Sequence, residues 1–505
     1  MKKQIALTMM VAMVACSGPG KPRAGEAAGK YVADWESLAR HEASPEWFRD
    51  AKLGIYFHWG VYSVPAFSSE WYPRLMHIEG HPVYEHHLET YGHPSEFGYH
   101  DFVSMFKAEH FDAAVWADLF QKAGARFAGP VAEHHDGFSM WDSEATPWNA
   151  ADMGPKKDIT GLLAAELRKR EIRLITTFHH SKQLQRYDSI ASEGHEPYQW
   201  SHYPWNREMP TSSEDPVLQK LYGNMPAEQW YEDIWYGKLK EVIDLYQPDI
   251  IWFDYVLDRI PEAYRQRFAA YYLNAAEKWG REVVIVRKQE DLPIEFSVLD
   301  LEKSRMNRLD SVPWMTDETI SKGSWCYTEN LEIKTASDVL HVLIDIVSKN
   351  GVLLLNVSPR ADGIIPEDQR EVLLAMGAWL DAYGEAIYGT RPWYTYGEGP
   401  TKEPEGDFKH HEEFLKIRYS WKDVRYTTSG ETVYATLLGW PGPGKEMTLE
   451  AFAEEQLPGG LEIGQVTMLG CREEIAWQHL PDGLSLVTPS AAPDSMAVVF
   501  KIKTR

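Results

Sequence analysis

Between about Trp47 and Tyr388, short apolar runs alternate with longer stretches whose apolar residues recur at helical spacing. The runs Leu53–Trp59, Phe127–Ala132, Leu174–His179, Ile250–Asp254, Val283–Arg287, Ser297–Glu302 and Val352–Val357 read as strands. Their nearly continuous apolar character is that of a parallel sheet covered on both faces. The segments Ala113–Gly124, Ile159–Arg170, Trp230–Tyr246, Ala263–Trp279, Ser337–Ser348 and a last one from Pro366 to about Tyr388 read as helices. Gly124, Gly280 and Asn350-Gly351 mark ends, and Pro366 marks a start. Strand–helix alternation over this length predicts the α/β class, a (β/α)8-like, TIM-type barrel. A doubly wound open sheet is the alternative, but no Gly-rich phosphate loop opens a helix. Polar residues also gather at or just past several strand ends, at His58, His134-His135-Asp136, His179-His180, Asp254, Arg287 and Glu302. Barrels collect their chemistry in this way, from many strand ends on one face.

Near Gly397–Asp407 the pattern breaks into Gly, Pro, Lys and Glu. Beyond it come short alternating runs, Phe414–Ser420, Thr432–Leu438, Met447–Glu450, Gln465–Met468, Leu484–Val487 and Ala497–Lys501, which predict a C-terminal antiparallel β-sandwich. The expected division is a barrel over 31–392 and a sandwich over 393–505. The first thirty residues follow another logic. Lys2 and Lys3 precede an apolar run from Ile5 to Ala15, too short to span a bilayer. Met13-Val14-Ala15-Cys16 resembles a bacterial lipobox. The expectation is a leader over 1–15, lipidation at Cys16 and a flexible tether over 16–30. That describes an exported bacterial lipoprotein, periplasmic or outer-membrane-anchored, touching the membrane only through its lipid. Cys326 and Cys471 are expected to remain free thiols.

Composition narrows the chemistry. Across 505 residues, 51 Lys and Arg against 75 Asp and Glu give a net charge of -24, which argues against a nucleic-acid partner. The 20 Trp and 26 Tyr exceed what a core of this size needs and suit the aromatic faces on which sugars pack. Pro248-Asp249-Ile250-Ile251-Trp252-Phe253-Asp254 is an apolar strand that ends abruptly in a carboxylate. A later strand carries Asp300 and Glu302 on one face. Two carboxylates from two strand ends are what a glycosidase requires; Glu302, Glu295 and Asp300 compete for the second place. The histidines lack HExxH or other tight ligand spacing, so neither a metal nor another cofactor is expected. Neutral imidazoles bonding to sugar hydroxyls account for the same residues. Trp59, Trp71, Tyr72, Trp141, Trp252 and Trp325 are candidate aromatic walls, with core packing as the other reading.

These motifs together resemble glycoside hydrolase family 29, the retaining α-L-fucosidases. The resemblance is carried by Leu53–Pro65 (LGIYFHWGVYSVP), Glu70-Trp71-Tyr72, His134-His135-Asp136-Gly137-Phe138, Trp252-Phe253-Asp254 and Gly351–Pro359 (GVLLLNVSP), in family order. It implies an exo-acting enzyme that removes terminal α-L-fucose from oligo- or polysaccharides. It further implies Asp254 as nucleophile, Glu302 as acid/base, and His58, Glu70, Trp71, His134, His135, Trp252, Arg287 and Trp325 as substrate contacts. Glu133 stands where many members have Lys, Thr177–Ser181 lacks the usual Tyr, and Arg287 follows Val-Ile-Val rather than Asn-Asp. Competing readings are an inactive surface glycan-binding lipoprotein, a metal-dependent hydrolase, and a barrel glycosidase for a related sugar such as sulfated fucose or galactose.

Overall fold

The computed structural model describes residues 29–185, 201–204, 206–288, 290–404, 411–458 and 461–505. The expected leader and Cys16, with nearly all of the tether, lie outside them. Eight parallel strands form one sheet: β1 (Leu53–Phe57), β2 (Phe127–Glu133), β3 (Arg173–Phe178), β4 (Ile250–Phe253), β5 (Val284–Arg287), β6 (Val298–Leu299), β7 (Trp314–Thr319) and β8 (Gly351–Val357). Their order is β6-β5-β4-β3-β2-β1-β8-β7. A parallel bridge from Asp300 to Met315 joins the two edges and closes the expected barrel.

Alternation explains why the strands read as continuously apolar. Tyr56, Ile175, Trp252, Val286, Met315 and Leu354 point inward and form one core cluster. Their neighbours Ile55, Phe57, Leu174, Phe253, Ile285 and Leu355 point outward into a second cluster under the helices. Gly54 is required by close approach, since a Cβ there would lie 2.0 Å from the Phe127 ring. The barrel helices Ala113–Lys122, Ile159–Lys169, Gly237–Tyr246, Glu262–Trp279, Ala336–Ser348 and Glu367–Tyr383 follow the predicted positions. Trp230–Tyr236, expected as α-helix, is π-helical and leads into Gly237–Tyr246. The connections from β5 to β6 and from β6 to β7 carry no helix among the described residues. No helix of the described residues is long and apolar enough to cross a membrane.

One strand was not predicted. β7 reads Trp-Met-Thr-Asp-Glu-Thr, which is neither an apolar run nor a simple alternation. It is a strand because each polar group has a dedicated partner. The Thr316 hydroxyl donates to the Ser304 carbonyl at 2.7 Å, Asp317 accepts from Tyr56, and Glu318 meets Lys334 at 2.8 Å.

A register shift in β2 between Val131 and Glu133 matters for the site. It turns Glu133 outward onto Lys238, 2.6 Å away, with both side chains fully buried. Ser139 Oγ donates to the same carboxylate at 2.6 Å. Truncating one member leaves the other charge buried and alone. Glu133→Ala should therefore cost about 3–5 kcal/mol in urea unfolding, and adding Lys238→Met should recover most of it.

After the barrel, β9 (Arg391–Glu398), β10 (Val424–Ser429), β11 (Thr432–Leu437), β13 (Ile463–Met468) and β16 (Val498–Thr504) form an antiparallel sheet in the order β13-β16-β11-β10-β9. β12 (Glu446–Leu449), β14 (Trp477–Leu480) and β15 (Gly483–Val487) form a second sheet, and one apolar cluster including Tyr426, Phe452, Leu486 and Phe500 fills the sandwich. The predicted strand Phe414–Ser420 is not one. His411–Phe414 is helical, and Phe414 and Tyr419 pack on the Arg305 guanidinium, 4.9 and 5.9 Å from its carbon. The strand lies farther on, at β10.

Candidate active site

The inward parity of each strand continues past its C-terminal end and delivers polar side chains to one mouth of the barrel. Asp254 lies two residues beyond Trp252, Lys288 two beyond Val286, and His58 two beyond Tyr56. Asp300 and Glu302 continue the face of Val298, and Asp317 that of Met315. The β2 register shift that sends Glu133 outward brings His134 inward. Except for Asp300, which is fully buried, these side chains line one pocket together with Glu70, Trp71, His135, His179, Tyr255 and Trp325.

Asp254 is the most heavily partnered carboxylate there. Its Oδ2 accepts from His179 Nδ1 at 3.0 Å and lies 3.2 Å from His135 Nε2; its Oδ1 is 3.4 Å from Lys288 Nζ. Burial pushes its pKa up, but the Lys288 ammonium and the histidine contacts outweigh burial and hold it well below the usual carboxylate range. Lys288 also meets Glu302 Oε2 at 3.0 Å and Asp317 Oδ2 at 3.3 Å. Burial works against this ammonium, yet Asp317, Glu302 and Asp254 raise its pKa well above the ordinary value. Because Lys288 touches both, Asp254 Oδ1 and Glu302 Oε2 stand no more than about 6.4 Å apart. Asp300 lies beneath them, fully buried, and burial with the neighbouring Asp317 raises its pKa well above the usual range.

The histidines present acceptors. His58 Nδ1 faces Asn356 Oδ1 at 2.8 Å, and the Asn356 amide donates to the Trp325 carbonyl at 2.7 Å. That fixes Oδ1 as an acceptor, so His58 carries its proton on Nδ1 and offers the Nε2 lone pair. His179 donates from Nδ1 to Asp254, which leaves its Nε2 without a partner among the described residues. His134 Nδ1 and Trp252 Nε1 are likewise buried without partners. Burial first, then neighbouring imidazoles, hold His58 and His134 well below the usual histidine pKa. Neutral rings with unfilled bonds suit hydroxyl groups.

The structure brings together most of the residues singled out in the sequence. His58, Glu70, Trp71, His134, His135, Asp254, Glu302 and Trp325 line the pocket, whereas Trp252 belongs to the inner barrel core and meets the site through Lys288, whose ammonium is 4.8 Å from its ring. Glu70 is buried and accepts from Ser324 Oγ and the Trp325 amide, both at 3.2 Å. Arg287 is the correction. Parity turns it outward, where Nε donates to Ser297 Oγ at 3.0 Å, and the cation at Asp254 is its neighbour Lys288. Glu295 is exposed and does not line the pocket. Trp59, which continues the outward parity of β1, donates to the Arg360 carbonyl, Trp141 donates from a loop to Glu241, and both belong to the outer core. Lys288, Asp317, Tyr255 and Asn356 were not singled out in the sequence, although counting in twos from Val286 reaches Lys288.

Among the described residues two groups, His58/His134/His179 and His135/His179/Asp254, have ligand atoms within 4.8 Å of one another, as a small cation would need. Lys288 already supplies positive charge at Asp254. The same nitrogens are also able to accept hydroxyl hydrogens.

The chain is similar to known proteins over most of its length. The family model described as Alpha-L-fucosidase matches residues 21–385, and that described as Alpha-L-fucosidase C-terminal domain matches residues 419–503. The chain is 30% identical over 485 residues to the tissue alpha-L-fucosidase of Rattus norvegicus, covering 94% of this chain and 92% of the relative. Against the tissue enzyme of Homo sapiens it is 30% identical over 494 residues, covering 94% and 92%. Among solved structures, the Thermotoga maritima alpha-fucosidase in complex with fucose superposes with a TM-score of 0.73 at 29% identity, over 94% of this chain and 100% of that one.

Proposed function

Since the chain belongs to the α-L-fucosidase family of glycoside hydrolases, we propose that it removes terminal α-L-fucose by a retaining double displacement, with Asp254 as nucleophile and Glu302 as acid/base. One observation carries the assignment: a single ammonium, Lys288, lies 3.4 Å from Asp254 and 3.0 Å from Glu302. The bound this sets on their separation is compatible with the roughly 5–5.5 Å of retaining pairs.

In the first step an Asp254 oxygen bonds to the anomeric carbon as the glycosidic C–O bond breaks. Glu302 gives its proton to the departing oxygen. In the second step water attacks the same carbon, Glu302 takes a proton from it, and Asp254 leaves. Asp254 is anionic before the first step and esterified after it, while Glu302 is protonated before and anionic after. Of these two carboxylates Lys288 therefore faces one anion throughout, with Asp317 as its constant further partner, and its position between the two keeps the local charge balanced as the roles exchange. In this reading the unpartnered nitrogens of His134 and His179 bond sugar hydroxyls, and Trp71 and Trp325 serve as apolar walls, which is supported by their place in the pocket lining.

The test is the anomer first formed. With an aryl α-L-fucoside, proton NMR should show α-L-fucose appearing before mutarotation produces the β form. Initial release of the β anomer would reject the retaining assignment.

A further inference from the structure

Six lysines are buried among the described residues: Lys52, Lys182, Lys238, Lys288, Lys334 and Lys349. Four meet carboxylates within 4.0 Å: Lys238 with Glu133, Lys288 with three partners, Lys334 with Glu318, and Lys349 with Asp345. Lys52 meets none, and it precedes β1, at the barrel end away from the pocket. Lys182 meets none among the described residues either, and it adjoins the pocket through Trp71 and Tyr255.

Lys182 ends the short 3-10 turn His180–Lys182 that follows β3 and is only 7% exposed. Its Nζ donates to the Tyr255 hydroxyl at 2.7 Å and lies 4.7 Å from the Trp71 ring and 4.9 Å from the Tyr255 ring. Both rings line the pocket. The nearby Asp254 is already engaged by Lys288, His135 and His179. Arg74, whose guanidinium donates to the His202 carbonyl, adds a second positive charge on the same side. Burial first, then Arg74, lowers the Lys182 pKa to about 8, so the ammonium form still predominates at neutral pH. Next to it stands His202, whose backbone amide donates to the Lys182 carbonyl. Its ring is fully buried, 5.6 Å from Trp71 and 5.4 Å from His135, and neither nitrogen has a partner among the described residues.

A buried charge without a counter-ion is costly, and the cost is offset when an anion arrives. A neutral sugar offers this wall only hydroxyl oxygens. A sulfate ester or carboxylate offers a full negative charge and several acceptors for Lys182 and His202. We propose that Lys182, with His202, forms an anion-recognition position in the pocket wall, for a sulfate or carboxylate carried by the fucosyl unit or by the sugar linked to it. The inference rests on the fucosidase reading and names a substrate class for it.

The test compares 4-nitrophenyl α-L-fucoside with its 2-O-, 3-O- and 4-O-sulfated forms and with a fucoside of glucuronic acid. Cleavage of the neutral fucoside checks the fucosidase reading by itself. The expectation for the wild type is a higher kcat/KM on at least one anionic substrate than on the neutral one. In Lys182→Met that preference should fall by about tenfold or more, while Lys182→Arg should keep most of it. Preference for a sulfated fucoside places the anion on the fucosyl unit; preference for the glucuronide places it on the neighbour. Should Lys182→Met fail to fold, wild-type calorimetry decides, with at least one sulfated fucose or fucosyl-glucuronate expected to bind about tenfold more tightly than its uncharged counterpart. Neutral cleavage with no anionic preference, equal losses on both substrate types in Lys182→Met, or equal binding in calorimetry would overturn the proposal.

Discussion

Asp254→Asn should lower kcat/KM on an aryl α-L-fucoside by on the order of 10⁴-fold or more, since a residue that forms the covalent intermediate has no substitute in the pocket. The fold should survive the change. Lys288 keeps its contacts to Asp317 and to the Glu302 carboxyl when the Asp254 charge is lost, so the buried cation is not left alone. A melting temperature close to wild type therefore accompanies the loss of turnover. Asp254→Gly separates nucleophile from bystander. Removing the side chain opens space on the face of the anomeric carbon that Asp254 would attack, and added azide should enter there. A single displacement then converts the α-fucoside to β-fucosyl azide, identifiable by NMR. An α-fucosyl azide product, or activity above about a hundredth of wild type in Asp254→Asn, would give the nucleophile's role to another group.

The residues legible in the sequence are those whose local pattern reports their surroundings. Seven of the eight barrel strands could be read because they are mostly buried on both faces and therefore largely apolar. β7 could not, because its inward Asp317 and outward Thr316 and Glu318 are satisfied by Tyr56, Ser304 and Lys334, distant in sequence. The same limit applies at β10. The run Leu415–Tyr419 alternates like a strand, but Tyr419 is taken up by Arg305 of the barrel and by Glu403, to which its hydroxyl donates at 2.5 Å.

At the site, Asp254 was visible because a carboxylate ends an apolar strand. The histidine pair was legible as a motif, but not the register shift that turns His134 and Glu133 to opposite sides. Arg287 against Lys288 shows where resemblance and physics diverge. Resemblance drew attention to the arginine, while strand parity assigns the inward place to the lysine. The unusual Glu133 also becomes intelligible, because Lys238 on a barrel helix supplies the opposite charge. Trp71 and Trp325 line the pocket, whereas Trp252, Trp59 and Trp141 are core, a division their strand or loop position decides and composition does not.

Glu302→Ala should produce a loss that depends on the leaving group. Its carboxyl is partly exposed at the pocket mouth, 41% by side chain, where a departing oxygen and later a water can reach it. Asp300 is fully buried and Glu295 does not line the pocket, so neither has that access. A natural fucosyl disaccharide, which needs protonation to leave, should lose about 10²–10⁴-fold in kcat/KM. A dinitrophenyl fucoside departs without help, so its first step should be nearly unaffected and the fucosyl-enzyme should accumulate, visible as a burst of phenolate. Azide, needing no general base, should then restore turnover and yield α-fucosyl azide, the product of two displacements. This product is opposite in configuration to the one expected from Asp254→Gly, so the pair of variants assigns each carboxylate independently. Equal losses on both substrates, or azide rescue in Glu295→Ala or Asp300→Ala in place of Glu302→Ala, would move the acid/base role. Lys288→Met supplies the remaining comparison. If the ammonium balances both carboxylates in turn, its loss should slow both steps, lowering kcat/KM on the disaccharide and the dinitrophenyl fucoside alike and without azide rescue, a signature that neither carboxylate variant shares.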